Sequence, residues 1–322
     1  MFAAVGRGRA AGIAAGVLAD RVFGDPSRGH PVALFGSSAA ALERRLYADS
    51  RIAGVLHLAT LLGLVTLGGA AADRGGRRVG VVAETAVVAA ATFTALGGTS
   101  LARTGERMAD LLAAGDLDAA RRLLPSLCGR DPSVLDAAGL TRAALESIAE
   151  NTSDAQVGPL VWAAVGGTPA VLLYRAANTL DAMIGNKLPR YLRFGWAAAR
   201  FDDLLNLAAA RLTGLFVVVC APVVAGSSAG AVRAWRRDSR RHPSPNAGVA
   251  EAAFAGALGI RLGGPTQYAH ELEIRPTLGD GRTPEVADLV RAVRLSRAVQ
   301  VLAAAAAVSV ACRTGRRACP RV

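Results

Sequence analysis

The strongest constraint on this chain is the set of long apolar blocks that carry no charge. Residues 52–72, 85–102, 155–174 and 212–232 contain no Asp, Glu, Lys or Arg over 21, 18, 20 and 21 positions. A hydrocarbon core about 30 Å thick is crossed by roughly 20 residues of α-helix, so each block is long enough to span a bilayer. A buried helix of a soluble domain keeps a polar stripe at the helical period, and these blocks keep none. The chain reads as all-α: a polytopic membrane helical bundle with a broken or re-entrant helix near its site.

The remaining composition fits that reading. Lys and Arg number 37 against 25 acidic residues, a net charge of +12. Nucleic acid is excluded as the partner because the arginines are spread through every segment between blocks, and aromatics are only 5% of the chain. Basic residues flanking apolar spans instead match the positive-inside rule and contact with anionic lipids. Membrane lipids are therefore expected neighbours of a multi-pass protein of the cell membrane. Cys128, Cys220, Cys312 and Cys319 show no CxxC spacing, which argues against both a zinc site and a disulfide framework.

The organisation is expected to be one integral-membrane domain over residues 1–322. Its apolar spans are placed at 10–24, 52–72, 79–98, 155–174, 204–226 and 298–312, with extramembrane segments at 103–150 and 233–297. Asp73 to Arg78 reads as the tight loop of a helical hairpin, and the last run, 15 residues, is short for a full span. The 155–174 block is interrupted at Gly158-Pro159 and again at Gly166-Gly167-Thr168-Pro169, two expected breaks. Such breaks persist at membrane depth only where protein or a water-filled cavity satisfies the freed backbone groups.

Three polar groups flank that block. Glu146, Glu150 and Asp154 are spaced i, i+4, i+8, with Ser147 and Asn151 beside them, so on one helix the carboxylates share a face. Like charges at that spacing repel, and the expected compensation is either Mg²⁺ held by Glu146, Glu150 and Asp154 together with phosphate oxygens or a set of arginines. Beyond the block come Tyr174, Arg175, Asn178, Asp181, Lys187, Arg190, Tyr191 and Arg193, acids followed by bases as an anionic substrate requires. A third group, Arg200, Asp202, Asp203, Asn206 and Arg211, enters the next span and is expected to face inward, since a charge at the bilayer centre costs roughly 2.5 to 3.5 kcal/mol. Two outlying motifs are Asp25-Pro26 with His30-Pro31, and His242-Pro243-Ser244-Pro245-Asn246 with Glu251. No GxxxxGK[ST], HExxH or GxSxG motif occurs, so any nucleotide is held in an unfamiliar way.

In this order the pieces resemble the CobD/CbiB family of cobalamin biosynthesis membrane proteins, the adenosylcobinamide-phosphate synthases. The resemblance runs through Gly24-Asp25-Pro26, His30-Pro31-Val32, Glu146-Ser147-Ile148-Ala149-Glu150-Asn151, Tyr174-Arg175-Ala176, Asn178-Thr179-Leu180-Asp181, Arg200-Phe201-Asp202-Asp203, Ser244-Pro245-Asn246-Ala247-Gly248, Glu251 and Leu262-Gly263-Gly264-Pro265 with Tyr268. It departs where the family has Pro-Ala-Arg and this chain has Ala209-Ala210-Arg211. The resemblance implies a ligase that joins adenosylcobyric acid, a corrinoid, through a propionate carboxylate to (R)-1-amino-2-propanol or its phosphate. Amide formation in water is uphill, so ATP and Mg²⁺ are the expected cofactors.

On that basis Glu146, Glu150, Asn151, Asp154, Asp181, Asp202 and Asp203 are the catalytic candidates. The substrate-binding candidates are Asp25, His30, Tyr174, Arg175, Asn178, Lys187, Arg190, Tyr191, Asn206, Arg211, Ser244, Asn246 and Glu251. Association with other late cobalamin-pathway enzymes is a further expectation. Two alternatives compete: an intramembrane Mg-diphosphate-dependent prenyltransferase, which also sets Asp and Asn on helices, and a small transporter using the broken helix as its binding site. No paired inverted halves are visible in the sequence, which counts against the transporter.

Overall fold

The computed structural model describes residues 2–26, 29–267 and 272–317. Tyr268 and Cys319, named above, lie outside them. The chain runs α1 (Phe2–Phe23), α2 (Pro31–Leu46), α3 (Arg51–Val79), α4 (Val81–Ala95), α5 (Gly98–Ala113), α6 (Leu117–Leu123), α7 (Ala137–Thr152), α8 (Gly158–Ile184), α9 (Trp196–Cys220), α10 (Ser228–Asp238), α11 (Ala247–Leu258), β1 (Leu262–Gln267), β2 (Leu272–Leu278) and α12 (Val286–Arg317). Two compact units divide these elements: residues 1–97, 158–206 and 303–322 form the first, residues 98–157 and 207–302 the second.

Five helical stretches among the described residues are long and apolar enough to cross a membrane: Arg51–Val79, Val81–Ala113, Ala137–Ile184, Trp196–Val224 and Val286–Thr314. Their outward residues are as apolar as the inward ones. Ile52, Leu67 and Val82 are 73%, 69% and 84% exposed, an apolar surface that lipid tolerates and water does not. The protein is thus a helical, polytopic membrane bundle.

Several sequence expectations change. The 10–24 segment is helical but belongs to the longer α1, which carries Arg7, Arg9, Asp20 and Arg21 and is not among the five. Asp73–Arg78 is not a loop; α3 continues through it to Val79, and Gly80 alone makes the turn. That turn needs φ of +143°, a conformation only glycine adopts without strain. The 103–150 segment overlaps two apolar stretches, because α5 and α7 extend them. The run at 298–312 is the distal part of α12, long enough to span once its arginine-bearing first half is counted.

In the first unit α1 packs along α4 through a glycine stripe. Gly8, Gly12 and Gly16 face Glu84, Val88 and Thr92, and a Cβ at Gly12 or Gly16 would come within 2.5 Å of Val88 Cβ or 2.7 Å of Thr92 Cβ. Small residues four apart let two membrane helices approach closely enough for backbone-level packing. A core of Leu58, Leu61, Leu62, Tyr174, Leu180, Ile184 and Phe194 joins α3, α8 and the connection between α8 and α9.

Of the two breaks expected in the 155–174 block, one occurs. Gly167 has φ 66° and ψ −150°, which interrupts α8 two residues before Pro169. Arg9 of α1 reaches the break, donating from Nη1 to the carbonyls of Ala164 at 3.5 Å and Val165 at 3.4 Å. Protein rather than water thereby satisfies the freed carbonyls, as membrane depth requires. Gly158-Pro159 does not end the helix. The preceding turn, Ser153–Val157, widens into π-helix, which relieves the clash between a proline ring and the carbonyl four residues earlier.

In the second unit α10 packs against α11 with Gly230 and Gly256 in backbone contact. Every residue of α11 is buried. An antiparallel hairpin of β1 and β2, unforeseen in an all-helical reading, pairs Leu262 with Leu278 and, past a bulge, Gly264 with Arg275. Asp238 at the end of α10 pins its base, accepting from Gly279 N–H at 2.9 Å while pairing with Arg237 at 2.8 Å. Burial by itself would raise the Asp238 carboxyl, but Arg237, the Gly279 N–H and Arg241 outweigh it and hold the group below the usual range.

Candidate active site

The predicted polar residues fall into one group in each unit. In the first unit, helices α8 and α9 bring together Tyr174, Asn178, Asp181, Asp202 and Asn206. The buried Tyr174 hydroxyl donates to Asn206 Oδ1 at 2.7 Å, and Asn206 Nδ2 donates to Asp202 Oδ2 at 2.9 Å. Asn178 also hydrogen-bonds Asp202, and the Asp181 carboxylate faces it. The other carboxylate oxygen of Asp202, Oδ1, is buried without a hydrogen-bond partner. This alignment depends on the helical period: Asn178 and Asp181 lie nearly one turn apart on α8, Asp202 and Asn206 one turn apart on α9. Asp203, on the next position of α9, pairs with Arg200 at 3.6 Å.

The other first-unit candidates make separate contacts of their own. Arg175 lines an apolar cavity of about 180 Å³ with Phe35, Val65 and Leu172. His30 caps α2 through Nδ1, which accepts from Val32 N–H at 3.1 Å, and its Nε2 stands 3.7 Å from Asp25. Arg190 stacks on Tyr47 at 3.8 Å and pairs with Glu43 at 3.0 Å, and Tyr191 donates to the same carboxylate at 3.2 Å. Those contacts tie the α8–α9 connection to α2. Lys187 is exposed in that connection.

In the second unit α7 contributes Glu146 and Glu150, and α11 contributes Glu251. Glu146 is buried in an ion pair with Arg130, and its Oε1 accepts from Gly263 N–H at 2.7 Å. Glu150 and Glu251 sit within electrostatic reach of Glu146, Arg130 and Arg275. Arg275 Nη1 lies 3.9 Å from Glu251 Oε1, an atom buried without a hydrogen-bond partner. Burial, reinforced by Glu146 and Glu150, pushes the Glu251 carboxyl well above its ordinary range despite the two arginines. Arg275 also pairs with Glu273 at 3.4 Å, so the acids of the cluster outnumber the guanidiniums.

His242 lies behind Glu251, with Nε2 3.7 Å from Oε1. Its Nδ1 lies 3.1 Å from Ser244 N and 3.2 Å from Ser244 O, so the ring is held to the Ser244 backbone. Burial and the nearby Arg275 hold this histidine below its ordinary pKa, so it is neutral at pH 7. Ser244 caps α11 by accepting from Ala247 N–H at 3.1 Å, and Asn246 Oδ1 accepts from Arg211 Nη1 at 2.7 Å. Asn151 folds back on its own helix, donating to Ser147 O at 2.9 Å.

The metal set read from the sequence does not assemble as spaced. Among the described residues no group of three or more acidic, His or Cys side chains is arranged to hold a metal ion. Asp154 falls in the π-helical turn, which alters the angular step that would have continued the Glu146–Glu150 line. The oxygens of Glu146 are engaged by Arg130 and Gly263. Sequence reasoning also missed Arg130 and Arg275, which reach the acids from a loop and from β2. The hairpin that delivers Arg275 and the Gly263 N–H gave only one signal, the Gly263-Gly264 pair, both with positive φ.

No solved structure matches the chain. A family model described as CobD/Cbib protein matches residues 13–296. Cobalamin biosynthesis protein CobD of Mycobacterium bovis is 66% identical over 308 residues, which cover 96% of this chain and 97% of the relative. The proteins of the same name from Geobacter metallireducens and Chromobacterium violaceum are 44% and 43% identical, covering 83% and 87% of this chain and 86% and 89% of their own. With the model spanning most of the residues and relatives aligned nearly end to end, the chain belongs to the CobD/Cbib protein family.

Proposed function

We propose that this protein acts in cobalamin biosynthesis as a membrane-bound ligase, joining (R)-1-amino-2-propanol or its phosphate to a propionate carboxylate of adenosylcobyric acid, at the cell membrane. The observation that carries the reading is the buried acid–arginine cluster of Glu146, Glu150, Glu251, Arg130 and Arg275 in the second unit. A buried cluster of acids and arginines with a strongly shifted member, Glu251, marks a candidate site for ligand chemistry. The family's name supplies the pathway, and the corrinoid and amino alcohol follow from the sequence resemblance.

Mg²⁺ and ATP fit the residues present in a restricted way. Glu150 and Glu251 are the acids left after Glu146 is engaged, and Glu251 Oε1 is a buried oxygen lacking a partner. One or two carboxylates with substrate phosphates and water are the usual holders of Mg²⁺. When bound, Mg²⁺ and ATP supply the activation that makes amide formation downhill. The chain's own contribution is positional: Arg130 fixes Glu146, Arg275 neutralises neighbouring acid, and Glu150 takes the proton that the amine loses as the C–N bond forms. Tyr174, Asn206 and Asp202 form a preorganised polar set in the first unit.

Complementation tests the reading. A corrinoid auxotroph lacking its own copy should grow with this chain when fed cobyric acid, and should need no rescue when fed cobinamide. Growth on cobyric acid without the chain, or prenyl transfer by purified protein that leaves cobyric acid untouched, would end it.

A further inference from the structure

Between α8 and α9 the first unit holds a carboxylate that the chain does not balance. Asp202 is 7% exposed and lies in Trp196–Val224, a stretch apolar enough to cross a membrane. Its Oδ2 accepts from Asn206 Nδ2 at 2.9 Å, and Asn178 also hydrogen-bonds the carboxylate. Oδ1 is buried without a hydrogen-bond partner. Among the described residues Asp202 makes no ion pair, whereas Asp203, the next residue along, has Arg200 at 3.6 Å. Asp181 faces Asp202 from α8 and adds negative charge at the same place.

Amide N–H groups spread the charge of a carboxylate but do not cancel it. Ionised side chains inside membrane proteins pair with one another or lie on an ion path, and a buried charge left alone is strongly destabilising. The side chains around Asp202 are amides, a phenol and acids. Tyr174 and Asn206, both fully buried, are held together at 2.7 Å. The balancing charge therefore comes from outside the chain.

The site also selects the ion. One carboxylate without an ion-pair partner calls for a single positive charge. Mg²⁺ keeps several of its waters and is held beside substrate phosphates rather than in dry protein cages, and Ca²⁺ takes roughly six to eight oxygens. This buried group offers neither the water nor that many oxygens. Na⁺ is bound inside helical membrane proteins by oxygen donors drawn from facing helices.

We infer that Asp202 Oδ1, the Asp181 carboxylate and the amide oxygen of Asn178 form a sodium site between α8 and α9. Bound Na⁺ balances Asp202 and ties the two helices together. The site shares no residue with the acid–arginine cluster of the second unit, and it involves no reactant, so it stands or falls separately from the ligase reading. Trp162 of α8 reports on it, because its indole N–H donates at 3.2 Å to the carbonyl of Leu205, in the turn of α9 that joins Asp202 to Asn206.

The experiment takes the full chain in detergent, replaces choline chloride stepwise by NaCl at constant ionic strength, and reads melting temperature and tryptophan fluorescence. Na⁺ is expected to raise the melting temperature by a few degrees and to saturate, as ligand linkage requires. The fluorescence should change with the same midpoint, and Trp162→Phe should remove that change while keeping the melting shift. Asp202→Asn, which preserves shape, should be at least as stable as the native chain in choline and should lose both responses. Asp181→Asn is the second variant and should weaken Na⁺ binding about tenfold, since affinity follows the charge of the ligands. Glu251→Gln, in the second unit, should respond to Na⁺ as the native chain does.

Equal melting temperatures in choline and sodium would mean that a proton balances Asp202, and would overturn the site. A saturable response to MgCl₂ in place of NaCl, or a full Na⁺ response in Asp202→Asn, would overturn it as well.

Discussion

Tyr174 on α8 donates its hydroxyl hydrogen to Oδ1 of Asn206 on α9 at 2.7 Å, and both side chains are buried. The bond orients the amide so that Nδ2 points at Asp202. Tyr174→Phe should leave Asn206 Oδ1 unsatisfied, costing about 1–3 kcal/mol. A fall in melting temperature in detergent, together with slower growth on cobyric acid in the complementation strain, is the expected result. An unchanged melting temperature would mean that the amide finds another donor.

Glu150→Gln and Asp203→Asn are each expected to abolish conversion of cobyric acid while the protein still reaches the membrane. Membrane fractionation and corrinoid analysis of the same cells measure both. Full conversion by either variant would place the acidic chemistry elsewhere.

The Arg130–Glu146 pair gives a stability prediction of a different kind. Removing one member of a buried pair typically costs about 3–5 kcal/mol, because the other charge is left alone, whereas replacing both with apolar residues is often close to neutral. Arg130→Met should therefore be severely destabilised, and Arg130→Met with Glu146→Leu should recover a substantial part of the loss. Denaturation in detergent reads the cycle; a double variant as weak as the single one would show that Gly263 depends on Glu146 more than Arg130 does.

How much of this was legible in the sequence depends on range along the chain. The presence of long apolar helices, the Asn178–Asp181 and Asp202–Asn206 spacings and the break at Gly167 follow from local periodicity and glycine placement, and they stand in the structure, although the ends of the spans do not. Glu251 joining Glu146 and Glu150, and Arg130 and Arg275 joining all three, depends on the turns and the hairpin that bring distant segments together. No local pattern announces such a meeting. Asp154 illustrates the opposite case: the i, i+4, i+8 series runs into the π-helical turn Ser153–Val157, which alters its angular step.

Asp238 carries a pH prediction. Its carboxyl is held below the ordinary 3.8 in the fold, so it loses its proton more readily there than in the unfolded chain. The stability it contributes is fully present above about pH 4 and is lost as pH falls through the lower folded value. Asp238→Asn should therefore be less stable than the native chain at pH 7, and the gap should narrow as the pH is taken below 4. A gap that stays constant with pH would assign the anchor to shape alone.

A proton also competes for the proposed Mg²⁺ site. Burial first and the acidic neighbours second push the Glu251 carboxyl well above its ordinary range, so Mg²⁺ and a proton compete for it. Binding should tighten as pH rises and release protons measurably in weakly buffered calorimetry. Glu251→Gln should bind Mg²⁺ weakly and without that pH slope; an unchanged slope would move the cation away from Glu251.

The glycine stripe of α1 bears on how the protein is made. α1 carries arginines and an aspartate and stands outside the five strongly apolar helices, so lipid alone holds it poorly. Its close partner is α4, which is synthesised some sixty residues later. The earlier helix thus waits on the later one during insertion, and Gly12→Leu, which closes the notch opposite Val88, should strand α1 for proteolysis in the nascent chain rather than merely soften a finished fold.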